Sequence, residues 1–150
     1  MNTMPESRYP AVEATIEQIR YWVPTIADVA RTVEARDEGS WLLSIEPHLA
    51  TACPVAIALR QDGRFDISLA GETYEDRVFQ SLDQLVVLLE SIVDGQVIQR
   101  RWISAVTGVP QGVETLVQLG AIGLLWRNGA EPDGGVQRHD RHFLPYRRQP

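Results

Sequence analysis

The first third of the chain carries a helical hydrophobic pattern. From Val12 the apolar positions are Val12, Ile16, Ile19, Val23, Ile26, Ala30 and Val33, spaced 4, 3, 4, 3, 4 and 3 residues apart. That spacing puts all seven on one stripe of a helix. Glu13, Glu17, Arg20, Asp28, Arg31 and Glu34 lie between them. Pro24 removes a backbone donor inside this run, so a kink or break is expected near Tyr21–Val23. Gly39 is a plausible terminator. Ahead of the stripe, residues 1–10 contain Pro5 and Pro10 and no periodicity, which reads as a flexible lead.

The pattern then changes to period two. Trp41, Leu42, Leu43 and Ile45 read as a short strand that stops at Pro47. Val55, Ile57 and Leu59 alternate with small or polar residues, and Phe65, Ile67 and Leu69 do the same after Asp62-Gly63. Register decides the loop between them. A two-residue loop would set Leu59 opposite Asp66 and mix polar with apolar residues on each face. A three-residue loop, Gln61-Asp62-Gly63, sets Leu59 opposite Phe65, Ile57 opposite Ile67 and Val55 opposite Leu69. Cross-strand partners share a face, so only this register yields one apolar face. It requires Gly63 in a left-handed conformation. Thr73–Val78 reads as a further short strand.

A second helix follows. Ser81 and Gln84 have the spacing of a capping box. Leu82, Leu85, Val86, Leu89, Ile92 and Val93 form its apolar face, and Gly95 closes it. Val97, Ile98, Trp102 and Ile103 resume the strands. A turn at residues 108–112 leads to Val113, Thr115, Val117 and Leu119, and residues 120–126 read as an edge strand or coil on the sheet. From Asn128 the chain is rich in Gly, Pro and Arg and reads as a mobile tail. The expected fold is α+β: a mainly antiparallel sheet of five or six strands, with a long kinked N-terminal helix and a second helix covering one face. The division is a lead at 1–10, one domain at 11–127 and a tail at 128–150.

Composition narrows the chemistry. The 150 residues are 44% hydrophobic and 23% charged, a globular balance. With one cysteine, Cys53, no internal disulfide can form. No apolar run reaches the ~20 residues of a membrane span, and no basic-then-apolar leader opens the chain, so a cytoplasmic protein is expected. All 14 basic residues are arginine, against 20 acidic ones, for a net charge of −6. Without lysine there is no Schiff-base or P-loop chemistry. Residues 1–135 carry 10 − 19 = −9 and residues 136–150 carry 4 − 1 = +3. An acidic body repels phosphate, which disfavours nucleic acid, and attracts a basic protein surface.

Candidate catalytic groups are sparse. His139-Asp140-Arg141-His142 is the one cluster of metal-capable side chains; its two histidines, three apart, could share a face of a helix, but it falls in the tail, without the rigid set of three or four ligands a zinc site needs. His48 and Cys53 flank a loop, which makes a Cys/His pair conceivable, although a buried core thiol is the default. The carboxylate pairs Glu75-Asp76 and Asp37-Glu38 read as solvated charge. In Arg100-Arg101-Trp102, a strand would put Arg100 and Trp102 on one face and Arg101 and Ile103 on the other. No catalytic residue, metal site or cofactor is assigned.

The order of helices and strands is similar to that of class I type III secretion chaperones, acidic dimeric α/β proteins. It also suits immunity proteins that neutralise toxins, and phage inhibitors that present acidic residues to a basic enzyme. This is fold-level analogy alone. The expected function is that of a non-enzymatic acidic protein-binding module: inhibitor, immunity-type or chaperone-like adaptor. Its partner surface is placed at Glu72, Glu75, Asp76, Trp22 and Trp102, and a homodimer is allowed. The rival readings are a small enzyme or ligand binder with a pocket between helix and sheet, and a phage or assembly component.

Overall fold

A computed structural model describes residues 4–79, 81–130 and 134–147, with side chains from residue 11 onward. The chain is α+β, with two α-helices and two antiparallel sheets. Helix α1 spans Met4–Trp22 and is followed by a 3-10 turn at Val23–Ile26. Five strands come next: β1 (Ala30–Asp37), β2 (Ser40–Pro47), β3 (Val55–Arg60), β4 (Phe65–Leu69) and β5 (Glu72–Arg77). They form a meander in the order β1-β2-β3-β4-β5, here called sheet A. Helix α2 (Gln84–Val93) leads to β6 (Val97–Ser104), β7 (Pro110–Leu119), β8 (Ile122–Gly129) and β9 (Val136–His142), which form sheet B in the order β8-β7-β6-β9.

The predicted β3–β4 register is the observed one: Leu59 faces Phe65, Ile57 faces Ile67 and Val55 faces Leu69. Gly63 has φ 89°, and its amide donates to the carbonyl of Arg60. The large apolar residues at alternate positions of β2, β3 and β4 point inward, while Leu42, Ala56 and Ala58 lie on the other face. Trp41, Leu43, Ile45, Val55, Ile57, Leu59, Phe65, Ile67 and Leu69 are buried with α1 and α2 in one core.

Four expectations are corrected. The helical stripe does not run to Val33. Pro24 sits in the first turn of the 3-10 segment and ends the α-helix, and Ala30–Asp37 pairs with β2 along its length. Ala30 and Val33 fit the helical spacing by coincidence, and a ladder of main-chain bonds to a strongly apolar strand outweighs it. The single sheet becomes two. Met4–Pro10 belong to α1 rather than to a flexible lead, while residues 1–3 lie outside the described part. The segment read as a mobile tail contributes β9, which pairs with β6, and buries Phe143 and Tyr146.

Helix α2 starts later than expected. Its N-cap is Asp83, with no side-chain capping bond, so the Ser81/Gln84 box is not formed. Its buried face is Leu85, Leu88, Leu89, Ile92 and Val93, whereas Val86 packs only partly. Polar groups also cross between the sheets. The hydroxyls of Tyr74 and Thr115 lie 2.7 Å apart, and Gln99 Nε2 donates to the carbonyl of Leu69 at 3.0 Å.

Candidate functional site

Register assigns the two faces of sheet B. Val97, Gln99, Val113, Thr115, Val117 and Trp126 point inward and are buried. The alternate residues form the outer face, arranged in rows across the four strands. One row is apolar: Leu125, Leu116 and Ile98, ending at His142. The next is charged throughout: Arg127, Glu114, Arg100 and Asp140. The third holds Gly129, Gly112, Trp102 and Arg138.

The charged row is bound tightly to itself. Glu114 is only 4% exposed although it lies on the outer face. Arg127 Nη2 donates to one carboxylate oxygen at 2.9 Å, and Arg100 Nη1 donates to the other at 3.2 Å. Arg138 Nε lies 3.2 Å from Asp140, and Arg100 Nε is 3.9 Å from the same carboxyl. The Arg127 guanidinium stands over the Trp102 ring, 6.0 Å from its centroid. Charge-assisted bonds hold these side chains in one arrangement before anything binds. Above the apolar row lies a cleft of about 320 Å³ lined by Gln96, Ile98, Leu116, Gln118, His142 and Phe143 among others. Leu125 beside it is 51% exposed.

The sequence-predicted partner residues do not converge on one patch. Trp22 ends α1 and packs partly on the core. Trp102 sits on the outer face of sheet B. Glu72 accepts from Asn128 Nδ2 at 2.9 Å across the seam between β5 and β8. Asp76 is bound to Arg64 at 2.6 Å and to Arg60 at 3.0 Å, and the Arg64 guanidinium holds its carboxyl below the usual range. Glu75 is exposed on β5.

The candidate chemistry is dispersed as well. Cys53 is fully buried, its thiol is pushed up to about 12 by burial, and it donates weakly to the carbonyl of Pro54. His48 is exposed. His139 and His142 lie on a strand rather than a helix, so a spacing of three sends them to opposite faces. Among the described residues no group of three His, Cys, Asp or Glu side chains could hold a metal ion. Arg100 and Trp102 share one face, as predicted. Arg101 points the other way and donates to Gln99 Oε1 at 3.2 Å. No described helix is long and apolar enough to cross a membrane.

Sequence reading missed Glu114, Arg127, Arg138 and Asp140 as members of one constellation. The available signal was local: Glu114 interrupts the apolar run Val113–Leu119 at an outward-facing position. Its partners lie on other strands and could not be read from it. No family model, curated protein or solved structure matches the chain.

Proposed function

We propose that the chain is a protein-binding module and that the outer face of sheet B is its contact surface. The observation that supports this most is the pairing of partly exposed apolar groups with a pre-set charged row. Trp102, Ile98, Leu116 and Leu125 stand beside arginines already locked by Glu114 and Asp140. Trp and Arg are the residues that most often dominate binding energy, and rigid side chains lose little entropy on association. The ~320 Å³ cleft would take one apolar side chain of the partner. The net charge of −6 favours a partner of basic overall charge at long range, with the alternating row setting its register. On this reading the protein is an adaptor or inhibitor rather than a catalyst, and Glu75 adds to long-range attraction only.

The test is affinity capture from the native cell with wild-type and altered bait. Trp102→Ala and Leu125→Asp should each lose the captured protein, with circular dichroism unchanged. Reversal of Glu13 and Glu17 on α1 is the control. Capture of the same proteins by all baits would overturn the assignment of this face. Turnover of a small substrate that depends on His48 would overturn the class.

A further inference from the structure

The free edge of sheet A carries the inference. Strand β1 is terminal in that sheet, with β2 as its one strand neighbour. The amide of His48 donates to the carbonyl of Val29 at 2.9 Å, which marks a narrow pair in the β1–β2 ladder. Narrow pairs recur every second residue, so Arg31, Val33, Ala35 and Asp37 spend their main-chain groups on β2. Ala30, Thr32, Glu34 and Arg36 therefore aim their N–H and C=O groups away from the sheet. The edge has no proline or bulge to block pairing; it carries the charged side chains Arg31, Glu34, Arg36 and Asp37, which restrict the registers it accepts. The opposite edge is interrupted: the β4–β5 register shifts between Phe65 and Ile67, Asp76 has φ 57°, and Asn128 Nδ2 donates to the carbonyl of Thr73 at 2.7 Å.

We propose that β1 pairs antiparallel with β1 of a second copy about a two-fold axis at Val33. The charges on the strand select this occupant and this register. A two-fold axis normal to the sheet keeps outer residues outer, so opposite residues must share a face. With Val33 opposite Val33, Thr32 meets Glu34, Ala30 meets Arg36, and Arg31 meets Ala35. Arg31 then lies diagonal to Asp37 of the second copy, within reach of a long side chain, on both sides of the axis. In the single chain neither Arg31 nor Asp37 makes an ion pair with any described residue, and Val33 is 49% exposed. Neighbouring registers are worse. One sets Glu34 directly opposite Glu34, and the other brings the two Arg31 side chains onto a diagonal. The remaining like-charge approach, Glu34 diagonal to Glu34, is offset because Arg20 holds each carboxylate at 2.6–3.0 Å. Ala30 is only 5% exposed, so its main chain is covered, and the two central narrow pairs of Thr32 with Glu34 would supply about four main-chain bonds. The buried area is small, so a dimer in the micromolar range is expected.

Sedimentation velocity from about 5 to 500 µM tests the dimer, and cross-linking tests the register. Val33→Cys should form an intermolecular disulfide under mild oxidation, because wide antiparallel pairs have suitable Cα separations. Ala35→Cys should not, and Cys53 is too buried to interfere. Thr32→Pro removes an outward amide that β2 does not use, so it should give a folded monomer. Arg31→Asp should weaken dimerisation about tenfold, and adding Asp37→Arg should restore it to within about threefold. The proposal is overturned by a monomer at every concentration. It is equally overturned by a dimer that Thr32→Pro and Arg31→Asp leave unchanged, or by cross-linking at Ala35→Cys instead of Val33→Cys.

Discussion

The hydroxyl of Tyr146 donates to the carbonyl of Cys53 at 2.5 Å, with both residues buried. This contact fastens the C-terminal segment to the loop ahead of β3. Phe143 is buried nearby, and the amide of Tyr146 donates to the carbonyl of Val93 at 2.8 Å. Tyr146→Phe leaves the Cys53 carbonyl without its partner and should cost about 1–3 kcal/mol in urea unfolding. Tyr146→Ala should cost about 3–5 kcal/mol. Truncation after Asn128 should lower Tm by well over about 5 °C. A truncated chain that melts like the full one would show that β9 and its anchor contribute nothing.

Gly63 holds φ 89° in the β3–β4 loop. A branched side chain there is strained whatever space surrounds it. Gly63→Val should destabilise by about 1–2 kcal/mol or more. The measurement is the shift in denaturant midpoint at constant slope.

Glu114 binds two arginines at once. Glu114→Ala leaves both half-buried guanidiniums with one partner fewer, and about 1–3 kcal/mol should be lost after allowance for solvent screening. The double change Glu114→Leu with Arg100→Leu should cost less than the sum of the single changes, because it removes one of the two guanidiniums that lose Glu114.

Arg147 binds Asp28 at 3.0 Å and holds its carboxyl below the usual range. The folded-state value is depressed, so the ion pair's contribution is present above the unfolded value of about 4 and is lost as pH falls through the folded value. The stability difference between wild type and Asp28→Asn should therefore shrink below about pH 4. A difference that stays constant down to pH 2 would rule out this linkage.

Burial pushes the Cys53 thiol up to about 12. Its neutral form is favoured in the folded protein, so stability is full below the unfolded value of about 8.5 and declines as pH rises above it. A thiol reagent at pH 8 should label the native protein only at the rate of opening, and should label it at once in denaturant.

Much of the fold was legible wherever the signal was local. The alternation of Val55, Ile57 and Leu59 against Phe65, Ile67 and Leu69 specifies a hairpin, its register and a left-handed glycine, because burying one face leaves a single consistent pairing. The break at Pro24 and most of the apolar face of α2 were equally readable, although Leu88 was not assigned to that face and Leu82 lies ahead of the helix. Tertiary structure alone decided Ala30–Asp37, where a helical spacing and a strand compete and the apolar partner β2 settles the outcome. It also decided β9, whose run of Gln, Arg, His and Asp has no core pattern of its own and becomes a strand by completing the edge of β6. The charged row from Arg127 through Glu114 and Arg100 to Asp140 belongs to the same kind. Each member comes from a different strand, so their adjacency follows from register between distant segments, which one-dimensional periodicity does not encode.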